Sequence, residues 1–165
     1  MKTLFLIRHA KSSWADIGAK DIDRVLNDRG HNDAPEMAKF LKNKGISPDL
    51  IVSSPAKRAF MTASYFADAL GISVKNIDIQ NDIYEADEAT LRHIIRGLPD
   101  NANTILLFGH NPTFTYFANR FAKDYIDNVA TCGIVQYELN AAQWADFNEK
   151  TVAVKGYFYP KMPSY

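Results

Sequence analysis

Two arginines and two histidines lie just beyond short apolar segments of the sequence. Arg8 and His9 follow one such segment. Arg58 lies shortly after a second, and His110 follows a third. Arginine presents a planar fork of N–H donors that matches phosphate oxygens, and it keeps its charge at all working pH values. If the fold brings these segments together, Arg8 and Arg58 can clamp a phosphate dianion. A carboxylate ligand would fit these two arginines less fully than a phosphate.

The two histidines can carry out phosphoryl transfer beside such a clamp. His9 can attack phosphorus through one neutral ring nitrogen if a hydrogen bond, commonly to a backbone carbonyl, holds the other nitrogen. His110 can donate to the equatorial oxygens, whose charge must be stabilised during in-line transfer. The leaving group needs a proton, and Glu85 is the best-placed carboxylate to supply it, with Asp87 and Glu88 as rivals.

Five segments of the sequence have strand patterns. Near-continuous apolar runs at residues 3–7, 50–52 and 104–108 are typical of strands that are covered on both faces, as in a parallel sheet. Residues 134–139 and 151–158 alternate less cleanly, and we expect them to add strands that include an edge strand. Ligands in open α/β sheets bind beyond the carboxyl ends of the strands. The residues that follow the three apolar runs should therefore meet at one rim.

Segments with a helical spacing of apolar residues separate these strands. They cover residues 34–41, 56–70, 88–97 and 113–121. The first follows an expected turn at residues 29–30. The second places Arg58 in the first turn of a helix, where backbone N–H groups and the helix dipole favour anions. The alternation predicts an α/β fold with three layers, a mostly parallel central sheet and helices on both faces.

The composition is that of one globular unit without surplus charge. The chain of 165 residues is 47% hydrophobic, and no repeat or linker divides residues 1–165, so a single domain is expected. Lys and Arg total 19 and Asp and Glu total 19, so no summed field attracts the protein to nucleic acid or anionic lipid. We expect a monomer with no nucleic-acid partner and no membrane partner.

Two further features bear on the compartment. The apolar run near the N-terminus stops at Arg8 without a cleavage site, so it is interpreted as a strand and not as a secretory signal. No later run has the roughly 18 apolar residues of a membrane span. The single cysteine, Cys132, cannot form an intramolecular disulfide and is expected to be a buried, inert thiol. The expected compartment is the cytoplasm.

Several residues near the predicted rim have two interpretations. Asn111 either orients His110 or caps the helix that follows it. Lys11 and Trp14 lie in the loop after His9, where they either contact the substrate or cover the site. We assign Lys11 and Asn111 to substrate binding.

The remaining histidines and aromatic residues give weaker signals. His31 and His93 have no cysteine or carboxylate neighbours at metal-ligand spacings, so no metal and no cofactor are assigned. The aromatic residues near the C-terminus either pack on the sheet or form a partner surface. They are Tyr157, Phe158, Tyr159 and Tyr165.

Four blocks of the sequence occur together in the order and spacing of a known family. They are residues 6–14, 26–34, 53–63 and 109–112. In these blocks the chain resembles the histidine phosphatase superfamily, most closely its small branch of SixA-like phosphohistidine phosphatases, and the resemblance implies a phosphoglycerate mutase-like fold. Ala10 stands where the family's Arg-His-Gly motif has glycine, which is a small change. Ala15 replaces an asparagine common in the mutase-like branches, which argues against close kinship with phosphoglycerate mutases.

The resemblance also implies roles for the candidate residues. His9 is the residue that becomes phosphorylated in such a protein. Arg8, Arg58 and His110 complete the phosphate pocket, and Glu85 falls where many members carry the proton-donating acid. The chain lacks the long insertions that form a cap in larger relatives, and an uncapped site admits a side chain of another protein. The expected function is therefore a metal-independent phosphatase that removes phosphate from protein phosphohistidine through a phosphohistidine intermediate.

Three alternatives stay open at this point. A small phosphorylated metabolite is the main alternative to a phosphorylated protein as the substrate. A catalytically silent phosphate-binding module is a second, although binding alone requires no nucleophile aimed at phosphorus. A phosphoglycerate mutase is the third, and it would need a lid that keeps its phosphohistidine dry, for which the short chain offers no segment.

Overall fold

One six-stranded sheet forms the centre of the computed structural model, which describes residues 1–161. Its strands are β1 (Lys2–Arg8), β2 (Leu50–Ser53), β3 (Asp78–Ile79), β4 (Thr104–Gly109), β5 (Ile134–Leu139) and β6 (Val152–Phe158). Their order across the sheet is β3-β2-β4-β1-β5-β6. Strands β1 to β4 are mutually parallel, whereas β5 is antiparallel to both of its neighbours. The predicted mostly parallel sheet is confirmed.

Helices cover both faces of this sheet. They are α1 (Asp28–Asn43), α2 (Lys57–Ala69), α3 (Glu88–Arg96) and α4 (Thr113–Asn119). Apolar residues of α1 and α2 pack into one buried cluster, and those of α3 and α4 pack into another. The predicted three-layer α/β fold is therefore confirmed.

Strand β1 is buried on both faces, which explains the unbroken apolar run at its centre. Leu4 and Leu6 belong to the cluster with α3 and α4, whereas Phe5 and Ile7 belong to the cluster with α1 and α2. Successive side chains of a strand point to opposite faces of the sheet. The part of a strand that both helical layers cover is therefore apolar at successive positions, as in residues 4–7 of β1.

The topology brings distant parts of the sequence to one rim. Strand β4 pairs with β1 in parallel, with Arg8 opposite Gly109, so His9 and His110 follow the two strands at the same edge. Strand β2 pairs with the other side of β4, and α2 begins shortly after it with Arg58 in its first turn. The predicted convergence beyond the carboxyl ends of the strands follows from this order.

Helix α1 begins earlier than the sequence predicted. The side chain of Asn27 accepts a hydrogen bond from Gly30 N at 2.9 Å and caps the helix. Residues 29–30 therefore lie inside the first helical turn, and the expected turn there is wrong. A Cβ atom at Gly30 would lie 2.2 Å from the carbonyl O of Lys11, so glycine allows the loop after His9 to lie directly against α1.

Of the two edge strands of the sheet, the sequence predicted one and missed the other. Strand β3 has only two residues, both exposed, and carries no apolar pattern to recognise. Strand β6 forms the other edge, as predicted. Its Phe158 ring lies 5.0 Å from Phe40 of α1, and the Tyr157 hydroxyl accepts from Ala130 N at 2.8 Å. These aromatic residues pack on the fold, while Tyr165 lies outside the described residues.

None of the helices within residues 1–161 has the length and apolar character needed to cross a membrane. Cys132 is buried, and burial raises the pKa of its thiol above the usual value, which fits the expected inert thiol. The cytoplasmic location and the monomeric state stay predictions.

Candidate active site

His9 follows β1 at the carboxyl edge of the sheet, where it is buried with 8% of its surface exposed. Its backbone is held from two sides. The His9 N–H donates to Gly109 O at 3.1 Å, and its carbonyl accepts from Cys132 N at 3.0 Å. The end of β4 and the segment before β5 therefore fix the residue at the centre of the rim.

A hydrogen bond to the next peptide orients the His9 ring. Nδ1 lies 2.7 Å from the carbonyl O of Ala10. A carbonyl oxygen only accepts, so Nδ1 carries the proton and Nε2 keeps a lone pair. Burial lowers the pKa of His9 to about 3, and His110 and the two nearby arginines act in the same direction. The ring is therefore neutral at physiological pH, and Nε2 is available as a nucleophile.

Helix α2 holds the peptide that orients His9. Thr62 is fully buried, and its Oγ1 accepts from Ala10 N at 3.0 Å and donates to Arg58 O at 2.7 Å. The Ala10 peptide is therefore fixed through its N–H, and its carbonyl faces Nδ1 of His9. With the close approach at Gly30, this contact packs the loop after His9 against both α1 and α2.

His110 stands beside His9 at the end of β4. The two ring centroids are 5.3 Å apart and the rings are tilted by 51°. Nε2 of His110 lies 2.8 Å from Ser54 Oγ, and the Tyr84 ring packs edge-on against the imidazole. Burial, and after it the charges of nearby arginines, lowers the pKa of His110 to about 4. The pocket therefore contains two neutral imidazoles.

Arg8 ends β1 and has an unsatisfied donor. Its Nη1 donates to Val129 O at 2.8 Å. Its Nε is buried and has no hydrogen-bond partner among the described residues. A buried donor without a partner costs free energy, and an oxyanion in the pocket is the kind of ligand that removes this cost.

Arg58 is held by Asp21, a residue far from it in sequence. Its Nη1 donates to Asp21 O at 2.7 Å and its Nη2 to Asp21 Oδ2 at 3.0 Å. The Asp21 carboxylate also accepts from the Tyr84 hydroxyl at 2.6 Å and from Arg24 at 3.0 Å. The hydrogen bond from Tyr84, followed by those from Arg24 and Arg58, lowers the pKa of Asp21 to about 2. The ionised carboxylate thus positions the Arg58 guanidinium before any ligand binds.

Six of the seven predicted site residues line one pocket of about 250 Å³. Its lining comprises Arg8, His9, Lys11, Ser12, Trp14, Arg24, Arg58, His110, Asn111 and Thr131. Lysine and arginine are the only fully charged residue types in this lining, so the local field is positive although the chain as a whole is balanced. Such a pocket is suited to an anion.

Trp14 and Arg24 form the outer wall of this pocket. Cζ of Arg24 lies 3.3 Å from the centre of the Trp14 ring, and the guanidinium also bonds to Ser12 Oγ and Ser13 O. Trp14 is nevertheless 72% exposed, so it borders the mouth and does not cover the site. A second pocket, of about 470 Å³, adjoins the first at Arg24 and is formed largely by residues 13–25.

Glu85 lies outside the pocket that contains His9. It is exposed in the turn before α3, with a φ of 61°, and lines a neighbouring pocket of about 230 Å³. His110 and Asn111 belong to the walls of both pockets. The two rival carboxylates have other contacts, since Asp87 caps α3 and Glu88 forms an ion pair at the end of α4.

Asn111 precedes Pro112, the N-cap of α4, and its side chain bonds to the first turn of that helix. Its Oδ1 accepts from Thr115 N at 3.1 Å, and its Nδ2 donates to Val129 O at 3.0 Å. The structure thus supports the capping interpretation over one in which Asn111 bonds to the His110 ring. Because Val129 O also accepts from Arg8, Asn111 helps to hold the loop that fixes Arg8.

Neither of the two other histidines lines the pocket. His31 is exposed, with Nδ1 2.7 Å from the Tyr65 hydroxyl, and His93 is exposed on α3. Throughout the described part of the chain, no three His, Cys, Asp or Glu side chains are grouped as potential metal ligands.

Sequence reasoning missed the residues that hold the pocket side chains in place. They are Asp21, Arg24, Ser54, Thr62 and Tyr84. Asp21 begins a single 3₁₀ turn (Asp21–Asp23) and Arg24 follows it, in the segment between β1 and α1, where no periodic pattern marks a contact. Thr62 did leave a usable signal, because it is a polar residue on the apolar face of a predicted helix.

The family model of the histidine phosphatase superfamily, branch 1, matches residues 4–91, which is more than half of the chain. The chain belongs to the histidine phosphatase superfamily. The matched span of this histidine phosphatase contains Arg8, His9, Arg58 and Glu85, and His110 lies beyond it. The family predicted from the sequence is confirmed.

Individual relatives extend the similarity to nearly the whole chain. An uncharacterised chloroplastic protein of Arabidopsis thaliana is 30% identical over 154 residues, which cover 88% of this chain and 70% of that protein. A solved structure assigned as the phosphohistidine phosphatase SixA of Agrobacterium tumefaciens is 26% identical, with a TM-score of 0.80 and coverage of 96% and 98%. The protein histidine phosphatase SixA in complex with tungstate has the same fold at 18% identity, with a TM-score of 0.80 and coverage of 96% and 97%.

Proposed function

We propose that this histidine phosphatase is a metal-independent phosphohistidine phosphatase in which His9 carries the phosphoryl group. The observation that carries the proposal is the 2.7 Å contact between Nδ1 of His9 and the carbonyl O of Ala10. It leaves the lone pair on Nε2 of a neutral ring, inside a pocket lined by Arg8 and Arg58. A nucleophile and an anion clamp in one pocket are the parts that phosphoryl transfer to histidine requires.

The first displacement transfers the phosphoryl group to the protein. Arg8 and Arg58 bind its oxygens, and His110 donates to one of the equatorial oxygens. Nε2 of His9 attacks phosphorus while the bond from phosphorus to the leaving atom breaks, and that electron pair stays on the leaving group. The leaving atom takes a proton from Glu85 or from solvent. The hydrogen bond to Ala10 stabilises the positive charge that the His9 ring acquires.

The second displacement hydrolyses the intermediate. A water oxygen attacks phosphorus, the bond between phosphorus and Nε2 breaks, and the electron pair returns to His9. The water gives up a proton to solvent or to Glu85, and inorganic phosphate leaves. His9 is then neutral again, with its proton still on Nδ1.

The positive charge for both steps comes from side chains of the protein. Arg8, Lys11, Arg24 and Arg58 all line the pocket. Their charges take the role that Mg²⁺ has in other phosphoryl transfers. The activity should therefore survive chelation.

Protein phosphohistidine is the proposed substrate class. The exposed Trp14 borders the mouth, and the adjoining pocket of about 470 Å³ leaves room beside the phosphorylated side chain. We further propose that residues 1–165 form one domain without a cap, so that a side chain of another protein can enter. A solved protein with this fold is described as a protein histidine phosphatase. The imidazole of a phosphohistidine is also a good leaving group, so its departure needs little general acid catalysis from an exposed carboxyl group such as Glu85.

A small phosphomonoester is the second candidate substrate. The observation that favours it is the position of Glu85, which lines the pocket next to His110 and, unlike Asp87 and Glu88, has no side-chain bond to another described residue. A proton donor beside the site is useful chiefly for an alkoxide leaving group, which departs poorly without one.

A parallel turnover assay tests these proposals. The substrates are a phosphohistidine protein, an aryl phosphate and a set of sugar phosphates, each with and without EDTA, with His9→Ala as the control. We expect the highest kcat/KM for the phosphohistidine protein, unchanged by EDTA and absent in His9→Ala. Recovery of an EDTA-sensitive activity by one metal would contradict metal independence. A preference for one sugar phosphate would support the small-molecule alternative. If the protein binds tungstate but turns over none of the substrates, it is a silent phosphate-binding module.

A further inference from the structure

Ser54 is a buried hydroxyl that the chemistry described so far does not use. It follows β2 and is fully buried. Its Oγ has two hydrogen-bond contacts among the described residues: Ala56 N at 3.2 Å and Nε2 of His110 at 2.8 Å. The other ring nitrogen of His110, Nδ1, is buried without a partner in the described part of the chain.

The two contacts of Ser54 decide where its proton points. A backbone N–H only donates, so Ala56 N donates to a lone pair of Ser54 Oγ. Among the described residues, Nε2 of His110 is the one contact of this hydroxyl that can accept its proton. If Nε2–H donated to the second lone pair of Ser54 Oγ instead, the buried hydroxyl proton would be left without an acceptor, which costs free energy. A nitrogen that accepts a hydrogen bond is the unprotonated nitrogen of a neutral imidazole. With the Ser54 hydroxyl donating to Nε2, the proton of the neutral His110 ring is on Nδ1.

We propose that Ser54 is a positioning residue that keeps the His110 proton on Nδ1, where it is donated to the phosphoryl oxygen. The inference rests on the proposed function, because it concerns the partner that His110 meets in the pocket. Nδ1 is the nitrogen left for that partner, since Ser54 occupies Nε2. The opposite tautomer would point a lone pair at an anionic oxygen, and the pocket would lose a donor and gain a repulsion.

His9 and His110 are then both neutral imidazoles, and each presents a different kind of nitrogen to the phosphoryl group. His9 places its proton against a carbonyl and offers a lone pair to phosphorus. His110 places its lone pair against a hydroxyl and offers a proton to oxygen. Ala10 O and Ser54 Oγ are the two groups that set these tautomers. A neutral donor also avoids a further full positive charge in a pocket already lined by Arg8, Lys11, Arg24 and Arg58.

The test compares Ser54→Ala with Ser53→Ala. Ser53 is the neighbouring residue, is equally buried, and donates to the Ser54 carbonyl at 2.9 Å without contacting His110. The first measurement is the ¹⁵N NMR pattern of the His110 ring in the free protein, which separates the protonated nitrogen from the unprotonated one without any turnover. We expect Nδ1–H in the wild type and in Ser53→Ala, and a mixture or Nε2–H in Ser54→Ala.

The second measurement is turnover in a double-mutant cycle. Loss of one oxyanion donor costs about 10²- to 10³-fold in kcat, so His110→Ala should lose that much. Ser54→Ala leaves the ring in place and should lose about 10-fold or more, within that limit. Adding Ser54→Ala to His110→Ala should cause no further loss, because a residue that acts through His110 has nothing left to position.

The outcomes separate this proposal from the proposed function. An Nε2–H ring in the wild type, an unchanged tautomer in Ser54→Ala, or equal further losses in both backgrounds would each overturn the role of Ser54. If the wild type shows no phosphatase activity, the proposed function fails, while the NMR pattern still reports whether Ser54 sets the tautomer. If Ser54→Ala does not fold, the wild-type NMR pattern alone still decides where the proton is.

Discussion

The inner wall and the outer rim of the pocket are built in different ways. Arg8, His9 and Arg58 in the inner wall are largely buried, and each is held by hydrogen bonds to backbone carbonyls. The outer rim, by which we mean Trp14 at the mouth and Glu85 in the neighbouring pocket that shares His110 and Asn111, is exposed: Trp14 has 72% of its surface exposed and Glu85 lies on an exposed turn. The end that would bind the phosphoryl group is therefore rigid before ligand arrives, whereas the end that would meet the leaving group is open.

This difference predicts how mutations divide between the two regions. The phosphoryl group is common to all substrates, so the inner wall should affect every substrate equally. The leaving group differs between substrates, so the outer rim should affect them unequally. Preorganised groups in a buried site also contribute more to transition-state stabilisation than exposed ones do.

The largest effect is expected at the centre of the inner wall. His9→Ala should lower kcat by about 10⁴-fold or more on every substrate, because removal of a nucleophile blocks the first displacement. The fold should persist, since His9 lies beyond the end of β1 and outside the apolar clusters. Steady-state kinetics and circular dichroism check the two parts. Substantial turnover in a folded His9→Ala protein would assign the nucleophile elsewhere.

The next effect is expected at the two arginines. Arg8→Ala and Arg58→Ala should each lower kcat/KM by about 10²- to 10³-fold, as loss of an oxyanion-binding donor does. The loss should be the same for an aryl phosphate and a phosphohistidine protein, because both present the same oxygens. Arg96→Ala is the control, since Arg96 is an exposed arginine of α3 that lines neither the pocket with His9 nor the pocket that adjoins it at Arg24. A loss confined to one substrate would contradict a role in binding the phosphoryl group.

The outer rim should show a selective effect. Glu85→Gln should reduce alkyl phosphate hydrolysis by about 10²-fold, the usual contribution of a general acid, and phosphohistidine hydrolysis much less. Asp87→Asn is the control, because asparagine can keep the cap of α3. Comparison of kcat/KM across alkyl phosphate, aryl phosphate and phosphohistidine separates the possibilities. Equal losses on all three would show that Glu85 positions the pocket and does not donate a proton.

A smaller effect is expected from mild acid. The pKa values of His9 and His110 are lowered to about 3 and about 4, so both rings stay neutral well below neutral pH. After correction for ionisation of the substrate, kcat/KM should stay level down to about pH 5, because the active neutral forms persist. A decline centred near the usual histidine value of about 6.5 would contradict the burial of these rings.

The same two groups predict the direction of a change in stability. In the unfolded chain both histidines titrate near their usual pKa of about 6.5, whereas the folded values are about 3 and about 4. Between these values the unfolded state binds more protons, so the free energy of unfolding should fall as the pH drops below about 6.5. Urea denaturation of the wild type at about pH 7.5 and at about pH 5 measures the change, which should shrink in His9→Ala.

The inner wall was also the part that sequence patterns could predict. Buried parallel strands have continuous apolar runs, so the ends of β1 and β4 were visible, and the residues after them had to share a rim. Two features were beyond local patterns. Asp21 reaches Arg58 from a single 3₁₀ turn between β1 and α1, and the tautomer of His9 depends on where the Ala10 carbonyl points.

The start of α1 and the role of Asn111 were predicted less well, because glycine and asparagine each occur in more than one structural setting. Gly30 was interpreted as part of a turn, yet its place inside α1 is required by the approach of Lys11 O. Asn111 had two interpretations because an amide can cap a helix or orient a ring, and only coordinates show that it bonds to Thr115 N. The roles of the site residues in catalysis stay predictions.

A trapping experiment shows directly whether His9 carries the phosphoryl group. Wild-type protein is mixed briefly with a substrate that carries a radiolabelled phosphoryl group, quenched without acid, digested and mapped, with His9→Ala treated in parallel. If His9 carries the phosphoryl group, an acid-labile label should appear on His9 within one turnover and decay at the rate of phosphate release. A label on another residue, or turnover without any labelled protein under the same conditions, would contradict it.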